Sequence, residues 1–96
     1  MTRTRFLVCY DIADPRRLRR VAKALKAYGT RLQYSVFECA LDDQRLEQAK
    51  ADIDEVIQHD EDQVLFVSLG ESASDQSLKF DAIGKPYDGP ARLTIV

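Results

Sequence analysis

A single carboxylate, Asp11, ends an apolar stretch near the start of the chain. A carboxylate among apolar neighbours is unfavourable unless it is paired, hydrogen-bonded or bound to a metal. Asp11 therefore either forms a salt bridge or turn cap, or helps to hold a hydrated magnesium ion, which takes one or two carboxylates together with water and substrate phosphate. Because one aspartate per chain is a sparse ligand set, the metal site requires a second copy of the chain. Such an ion supports phosphodiester hydrolysis.

Six basic residues follow within eleven positions, with no acidic residue among them. A run of this kind contacts phosphates, and without interleaved aromatic residues it suits the nucleic-acid backbone better than the bases. The pattern predicts sequence-independent binding to a duplex or a structured end. The run comprises Arg16, Arg17, Arg19, Arg20, Lys23 and Lys26, and Arg31 extends it.

The charges are distributed unevenly along the chain. Residues 1–31 contain nine basic and two acidic side chains, a net charge of +7, whereas the whole chain carries -2. A folded protein can present one basic surface while staying acidic overall. The alternative is a solvated basic helix with no partner, followed by an acidic remainder.

Length and composition indicate one small globular domain of 96 residues, 45% hydrophobic and 31% charged. The apolar stretch before Asp11 is too short for a signal peptide or for the roughly 20 residues of a membrane helix. Cys9 and Cys39 are isolated, which argues against a disulfide framework or a zinc site and favours core positions. We therefore expect a cytoplasmic protein.

Hydrophobic periodicity predicts the elements of the first half. Residues 5–12 alternate as a strand with two mostly apolar faces, which is typical of a central strand. Asp14 and Pro15 are the N-cap and first residue of a basic helix, and Gly29 is its predicted C-cap. Residues 30–41 change phase, so they form either one bulged strand or two strands joined by a bend near 33–36.

The second half continues with a helix and a strand. Asp42 and Asp43 are candidate N-caps of a helix that reaches about Gln58, and residues 62–69 form a strand ended by Gly70. His59, after the helix, is expected to be a cap or surface residue. A polar loop over 71–79, a short strand and turn within 79–87, and a final strand over 92–96 complete the chain.

This order is βαββαβ, the α+β ferredoxin-like plan, with a C-terminal strand extension. We expect one domain over 1–96, with a core over about 4–70 and the extension over 71–96. Right-handed crossovers place both helices on one face of an antiparallel sheet. The other face is open, and a second copy related by a two-fold axis is its simplest cover. The final strand is a candidate for pairing with the partner's sheet edge.

No HxxxH nuclease pattern is present, since the chain has a single histidine. Tyr34 and Phe37 could stack on bases, but aromatic residues in a strand more often belong to the core.

Several segments together resemble a known family. "YDI" closes the first strand, the basic helix ends in "AYG", and "RLQYSVFEC" follows. Over about residues 5–41 this resembles the smaller of the two universal CRISPR spacer-acquisition proteins, CRISPR-associated protein family two. The resemblance implies a ferredoxin-like symmetric homodimer in which Asp11 is the metal-binding aspartate at the dimer axis, with Ser35 ordering metal or water. It also places Arg16, Arg17 and Arg20 on the family's basic helix.

The resemblance further implies a role in CRISPR antiviral defence. The dimer would bridge two dimers of the CRISPR integrase while its basic surface holds the duplex of the incoming spacer. It implies a magnesium-dependent endonuclease acting on RNA or double-stranded DNA, an activity that varies within the family. Three alternatives to the nuclease remain open. The first is a non-catalytic nucleic-acid scaffold in spacer acquisition, and the second is an mRNA-cleaving toxin-type endoribonuclease of the same fold. The third is a ferredoxin-like regulatory or small-molecule-binding module, which would explain neither the basic half nor Asp11.

Overall fold

The computed structural model describes residues 2–71, 79–80, 82–85 and 94–95. The elements are β1 Thr4–Asp11, α1 Pro15–Leu25, β2 Gly29–Gln33, β3 Val36–Leu41, α2 Asp43–Asp54, β4 Gln63–Glu71, β5 Lys79–Phe80 and β6 Thr94–Ile95. The main sheet has four antiparallel strands in the order β2-β3-β1-β4, and a separate pair, β5 and β6, lies in the C-terminal extension.

The central strand β1 has one buried and one half-open face. Alternate side chains point to opposite faces of a strand, and Phe6, Val8 and Tyr10 are buried. Leu7 and Cys9, on the other face, are only half-buried. The prediction that both faces are buried therefore holds for one face alone.

One contiguous core joins the buried face of β1 to both helices. Helix α1 contributes Val21, Ala22 and Leu25, and α2 contributes Ala49 and Ile53. These side chains pack with the apolar residues of β3, of which Phe37 and Leu41 are among the largest that are fully buried. Both helices thus cover the same face of the sheet, which confirms the predicted arrangement and leaves the opposite face, here called the open face, without a helix.

Helix α1 begins as predicted and ends earlier. The Asp14 carboxylate accepts the backbone N–H groups of Arg16 and Arg17 at 3.0 Å, and Pro15 is the first helical residue. The helix ends at Leu25, and Gly29 is instead the first residue of β2, so its predicted role as C-cap is wrong. A side chain at Gly29 would overlap the Glu38 carbonyl oxygen. Glycine is therefore needed at this position because β2 and β3 approach each other closely there.

A two-residue turn, Tyr34 and Ser35, joins β2 to β3. The segment is therefore two strands, and a shift of register between Arg31 and Gln33 accounts for its change of hydrophobic phase.

Helix α2 is shorter than the hydrophobic pattern predicts. Asp42 caps its start by accepting the Arg45 N–H at 2.8 Å. The Val56 N–H bonds to the Ile53 carbonyl three residues back, a tightening that is common where helices end. The helix ends at Asp54 rather than near Gln58. His59 is exposed, and its Nε2 lies 2.9 Å from the Asp54 carboxylate, which confirms a surface position.

Strand β4 runs through Gly70 instead of ending there. Gly70 has φ 92°, and the pairing with β1 shifts register between Thr4 and Phe6, as at a β-bulge. Both cysteines are free. Cys39 lies in the core, where burial raises the pKa of its thiol to about 11, and Cys9 is half-buried on the open face.

The extension contributes a short parallel pair in which Lys79 lies opposite Thr94 and Phe80 opposite Ile95. Most of the predicted polar loop over 71–79 lies outside the described residues, as does most of 86–96. Pairing of the final strand with a partner's sheet edge stays a prediction. Within the described ranges, no helix has the length and apolar character needed to cross a membrane.

Candidate active site and nucleic-acid surface

Asp11 is the last residue of β1 and lies opposite Gln63 of β4. By strand alternation it shares the open face with Cys9 and Leu7, and it is exposed. Among the described residues, no ion pair or hydrogen bond engages its carboxylate. The salt bridge and turn cap considered for Asp11 are therefore not formed within this part of the chain.

Asp62, which the sequence patterns do not single out, stabilises the turn after β1. Its Oδ1 accepts the Ala13 N–H at 2.9 Å, and its Oδ2 accepts the Gln58 N–H at 2.8 Å. The Asp62 side chain is fully buried. Its position immediately before β4 is the only sequence signal, because β4 begins opposite the end of β1, close to the start of α1.

The open face is apolar beside Asp11. Leu65 and Val67 of β4 lie opposite Cys9 and Leu7, and both are exposed although they are large and hydrophobic. Leu69 follows two residues later and is exposed as well. An apolar surface of this kind on a small protein usually marks an interaction site.

Ser35 lies beside the end of β1. The Tyr10 N–H donates to its carbonyl oxygen at 3.1 Å, so the turn between β2 and β3 is next to the residue that precedes Asp11. Within the described residues, no hydrogen bond joins the Ser35 hydroxyl to Asp11. A role for Ser35 in ordering metal or water stays a prediction.

The carboxylates that the structure describes in one chain do not form a complete metal site. In the described ranges, no group of three or more His, Cys, Asp or Glu side chains is placed to hold an ion. Asp11 supplies one exposed hard oxygen ligand, and magnesium commonly accepts one or two carboxylates with water and substrate phosphate. The donor set therefore fits magnesium when a second carboxylate comes from another molecule.

Five exposed basic residues lie on α1 and at its C-terminal end. We call them the basic surface: Arg16, Arg19, Arg20, Lys23 and Lys26. Helix α1 packs on the face of the sheet opposite to the open face. Although they are near in sequence, Asp11 and the basic surface thus belong to different sides of one chain.

Arg17 differs from its neighbours on the helix. Its Nε lies 2.8 Å from Asp62 and a terminal nitrogen lies 2.9 Å from Glu61, and only 19% of its side chain is exposed. The hydrogen bond from Arg17 is the main reason that the pKa of Asp62 lies well below its usual range, and the same bond raises the pKa of Arg17. The predicted phosphate contact would compete with these two carboxylates.

Arg31 lies at the hairpin of β2 and β3 rather than on α1. Its guanidinium carbon is 5.6 Å from the centre of the Tyr34 ring and 5.5 Å from that of Phe37. Phe37 is fully buried, as expected of a strand aromatic, whereas Tyr34 is 70% exposed, so the expectation of a core position is wrong for Tyr34.

Comparison with known proteins decides the family. The family model described as CRISPR associated protein Cas2 matches residues 4–76, which include β1 to β4 and both helices. The chain belongs to the Cas2 family. The resemblance drawn from residues 5–41 is thereby confirmed, and it extends over the second helix and the fourth strand.

Relatives match along almost the full length of this Cas2-family chain. The CRISPR-associated endoribonuclease Cas2 of Geobacter sulfurreducens is 40% identical over 95% of this chain and 95% of its own. The CRISPR-associated endoribonuclease Cas2 1 of Rhodospirillum rubrum is 37% identical over 95% and 88%. A hypothetical protein of Thermus thermophilus has a crystal structure that matches with a TM-score of 0.72 and 30% identity, over 92% of this chain and 95% of that one. The ferredoxin-like fold is therefore confirmed.

Proposed function

We propose that this protein is a magnesium-dependent endonuclease of single-stranded RNA or double-stranded DNA that also binds duplex nucleic acid in CRISPR adaptation. The observation that carries the proposal is the position of Asp11, an exposed carboxylate at the end of an apolar open face. Relatives named endoribonucleases support the same activity. Family membership favours this function over a toxin-type endoribonuclease or a regulatory module of the same fold.

Two copies that meet through their open faces would complete the site. The interface would remove three exposed side chains of each copy from contact with water: Leu65, Val67 and Leu69. Burial of apolar surface stabilises such an interface by about 25 cal/mol per Å². Asp11, at the end of each face, would supply one carboxylate from each copy to hold a magnesium ion. When bound, the ion supplies Lewis-acid activation of the phosphodiester. Ser35 is proposed to order water beside it.

The proposed homodimer predicts a sedimenting mass of twice the 10.9 kDa of one chain. Val67→Glu should shift the protein towards the monomer at micromolar concentration, because it buries a charge in the apolar interface. Ser68→Asp is the matched control, since Ser68 is exposed on the same strand but lies opposite Phe6, away from the open face. Sedimentation equilibrium measures both, and a wild-type monomer at that concentration would exclude the shared site.

The basic surface is proposed to hold the duplex backbone. Arg16→Glu with Arg20→Glu should weaken duplex binding at least tenfold. If both residues contact phosphates, the log–log dependence of affinity on salt should flatten by about 2. Lys50→Glu, a reversal of an exposed charge on α2, is the control. Titration across a series of salt concentrations measures the effect, and unchanged affinity at every concentration would rule out α1 as the contact surface.

We further propose that the dimer bridges two dimers of the CRISPR integrase during spacer acquisition. A symmetric scaffold with two equivalent outer surfaces suits a bridge between identical partners. The experiment is sedimentation of the purified chain with integrase and a duplex. A complex containing two integrase dimers supports the proposal, and independent sedimentation of both proteins contradicts it.

A further inference from the structure

Tyr34 is a large aromatic side chain at the tip of the β2–β3 turn, and 70% of it is exposed. Its neighbours Arg31 and Gln33 are polar and exposed. The sheet order β2-β3-β1-β4 puts this turn away from β4, which carries the exposed Leu65 and Val67. The ring is therefore separate from the apolar part of the open face, and the exposed residues beside it, Arg31 and Gln33, are polar.

The turn that carries the ring is fixed to the central strand by Tyr10. The Tyr10 hydroxyl donates to the Tyr34 carbonyl oxygen at 3.0 Å, and the Tyr10 N–H donates to the Ser35 carbonyl oxygen at 3.1 Å. Because Tyr10 is itself buried in the core, both turn residues are held by a rigid element. Binding to the ring would then require little ordering of the backbone.

Arg31 supplies a positive charge beside the ring. Its guanidinium is 5.6 Å from the Tyr34 ring centre, and one terminal nitrogen donates to the Tyr10 hydroxyl at 3.4 Å. Proteins bind single-stranded nucleic acids through aromatic rings and nearby cations, because a base stacks on the ring and the phosphate is attracted to the positive charge. Tyr34 and Arg31 provide this combination.

We propose that Tyr34 is a stacking platform for an unpaired base, with Arg31 as its positioning residue. The proposal rests on the proposed function as a nucleic-acid-binding nuclease and defines its substrate class at the Asp11 end of β1. A strand held there must have at least one unpaired nucleotide, because the base faces inside an intact duplex are covered by their neighbours. Single-stranded RNA or a frayed end meets this condition.

Binding by three proteins to two nucleic acids tests the stacking role. The proteins are wild type, Tyr34→Ala and Tyr34→Phe; the nucleic acids are a single-stranded RNA with one 2-aminopurine and a blunt DNA duplex. Tyr34→Ala should weaken RNA binding about tenfold, within the range of a lost base–aromatic stack. It should leave duplex affinity and the salt dependence unchanged, because no phosphate contact is removed. Tyr34→Phe should bind like wild type, since it keeps the ring.

Fluorescence and sedimentation complete the test. Wild type and Tyr34→Phe should quench 2-aminopurine by stacking, and Tyr34→Ala should not. Equal RNA affinity and quenching in all three proteins would overturn the stacking role while leaving the proposed function intact. An equal loss of RNA and duplex binding, or a changed sedimenting mass in Tyr34→Ala, would also overturn it, since the residue would then support the fold or a protein interface. A wild type that binds neither nucleic acid would overturn the proposed function first.

Discussion

Asp11→Asn is expected to reduce magnesium-dependent cleavage to the background of the assay while leaving the fold unchanged. An amide has nearly the same shape as the carboxylate but no charge, and magnesium prefers charged oxygen ligands. Because Asp11 is exposed and engages no partner among the described residues, its replacement removes no stabilising contact. Initial rates on single-stranded RNA and on duplex DNA, with magnesium and with a chelator, measure the effect.

Asp60→Asn provides the matched control for this experiment. Asp60 is also exposed, and the same change of charge there should leave cleavage unaltered. Cleavage retained by Asp11→Asn would point to another site or to a contaminating nuclease. If wild type does not cleave while duplex binding persists, the scaffold role remains and Asp11 has no catalytic part.

The basic surface and Asp11 lie on opposite sides of the sheet, so the proposed duplex binding and the proposed cleavage would use different sides of one chain. A duplex held by the basic surface of α1 contacts the face that carries the helices, whereas Asp11 ends the open face. Within one chain, binding of a duplex backbone therefore does not bring its phosphates to Asp11. Variants of Arg16 and Arg20 should therefore impair duplex binding. They should not abolish the stacking expected of Tyr34 or the cleavage expected of Asp11, because neither residue belongs to the basic surface.

Local patterns predicted most of the fold. Asp14 and Pro15 mark the start of α1 because capping and a preset proline φ act within a few residues. The phase change over residues 30–41 indicated an irregular pairing, and the structure shows a hairpin with a register shift. The predicted ends of both helices and of β4 were misplaced. The end of α2 was missed because apolar residues such as Val56 pack on the core from a turn as well as from a helix.

Contacts between distant segments could not be predicted from spacing. A glycine after a helix, such as Gly29, is typical of a C-cap. In the folded chain Gly29 instead lies against the Glu38 carbonyl of the neighbouring strand, which leaves no room for a side chain. Asp11 and Asp62 are both aspartates at the ends of the predicted strands, and only the folded sheet shows that Asp62 holds the turn while Asp11 stays exposed. Tyr34 was assigned to the core because the position of the turn was open.

Asp62→Asn is expected to lower Tm by about 15 °C, as expected when one partner of a buried ion pair is removed from a small domain. The buried carboxylate binds Arg17 at 2.8 Å and also accepts the Ala13 and Gln58 N–H groups. An amide keeps the size but leaves Arg17 with Glu61 alone. Thermal unfolding at one protein concentration measures the change, with Glu61→Gln as a milder control because Glu61 is largely exposed.

The pH dependence of the Tm difference between wild type and Asp62→Asn shows whether the variant acts through the lost charge of Asp62 or through altered packing. Hydrogen bonding by Arg17, aided by the two backbone N–H groups, lowers the pKa of folded Asp62 from its ordinary value of 3.8. The unfolded chain therefore binds this proton first, so the stabilisation is fully present above about pH 4 and is lost as the pH falls towards the folded pKa. The difference in Tm between wild type and Asp62→Asn should be constant near neutrality and should narrow below about pH 4. A difference that stays constant down to pH 2 would show that the variant acts through altered packing rather than through the lost charge.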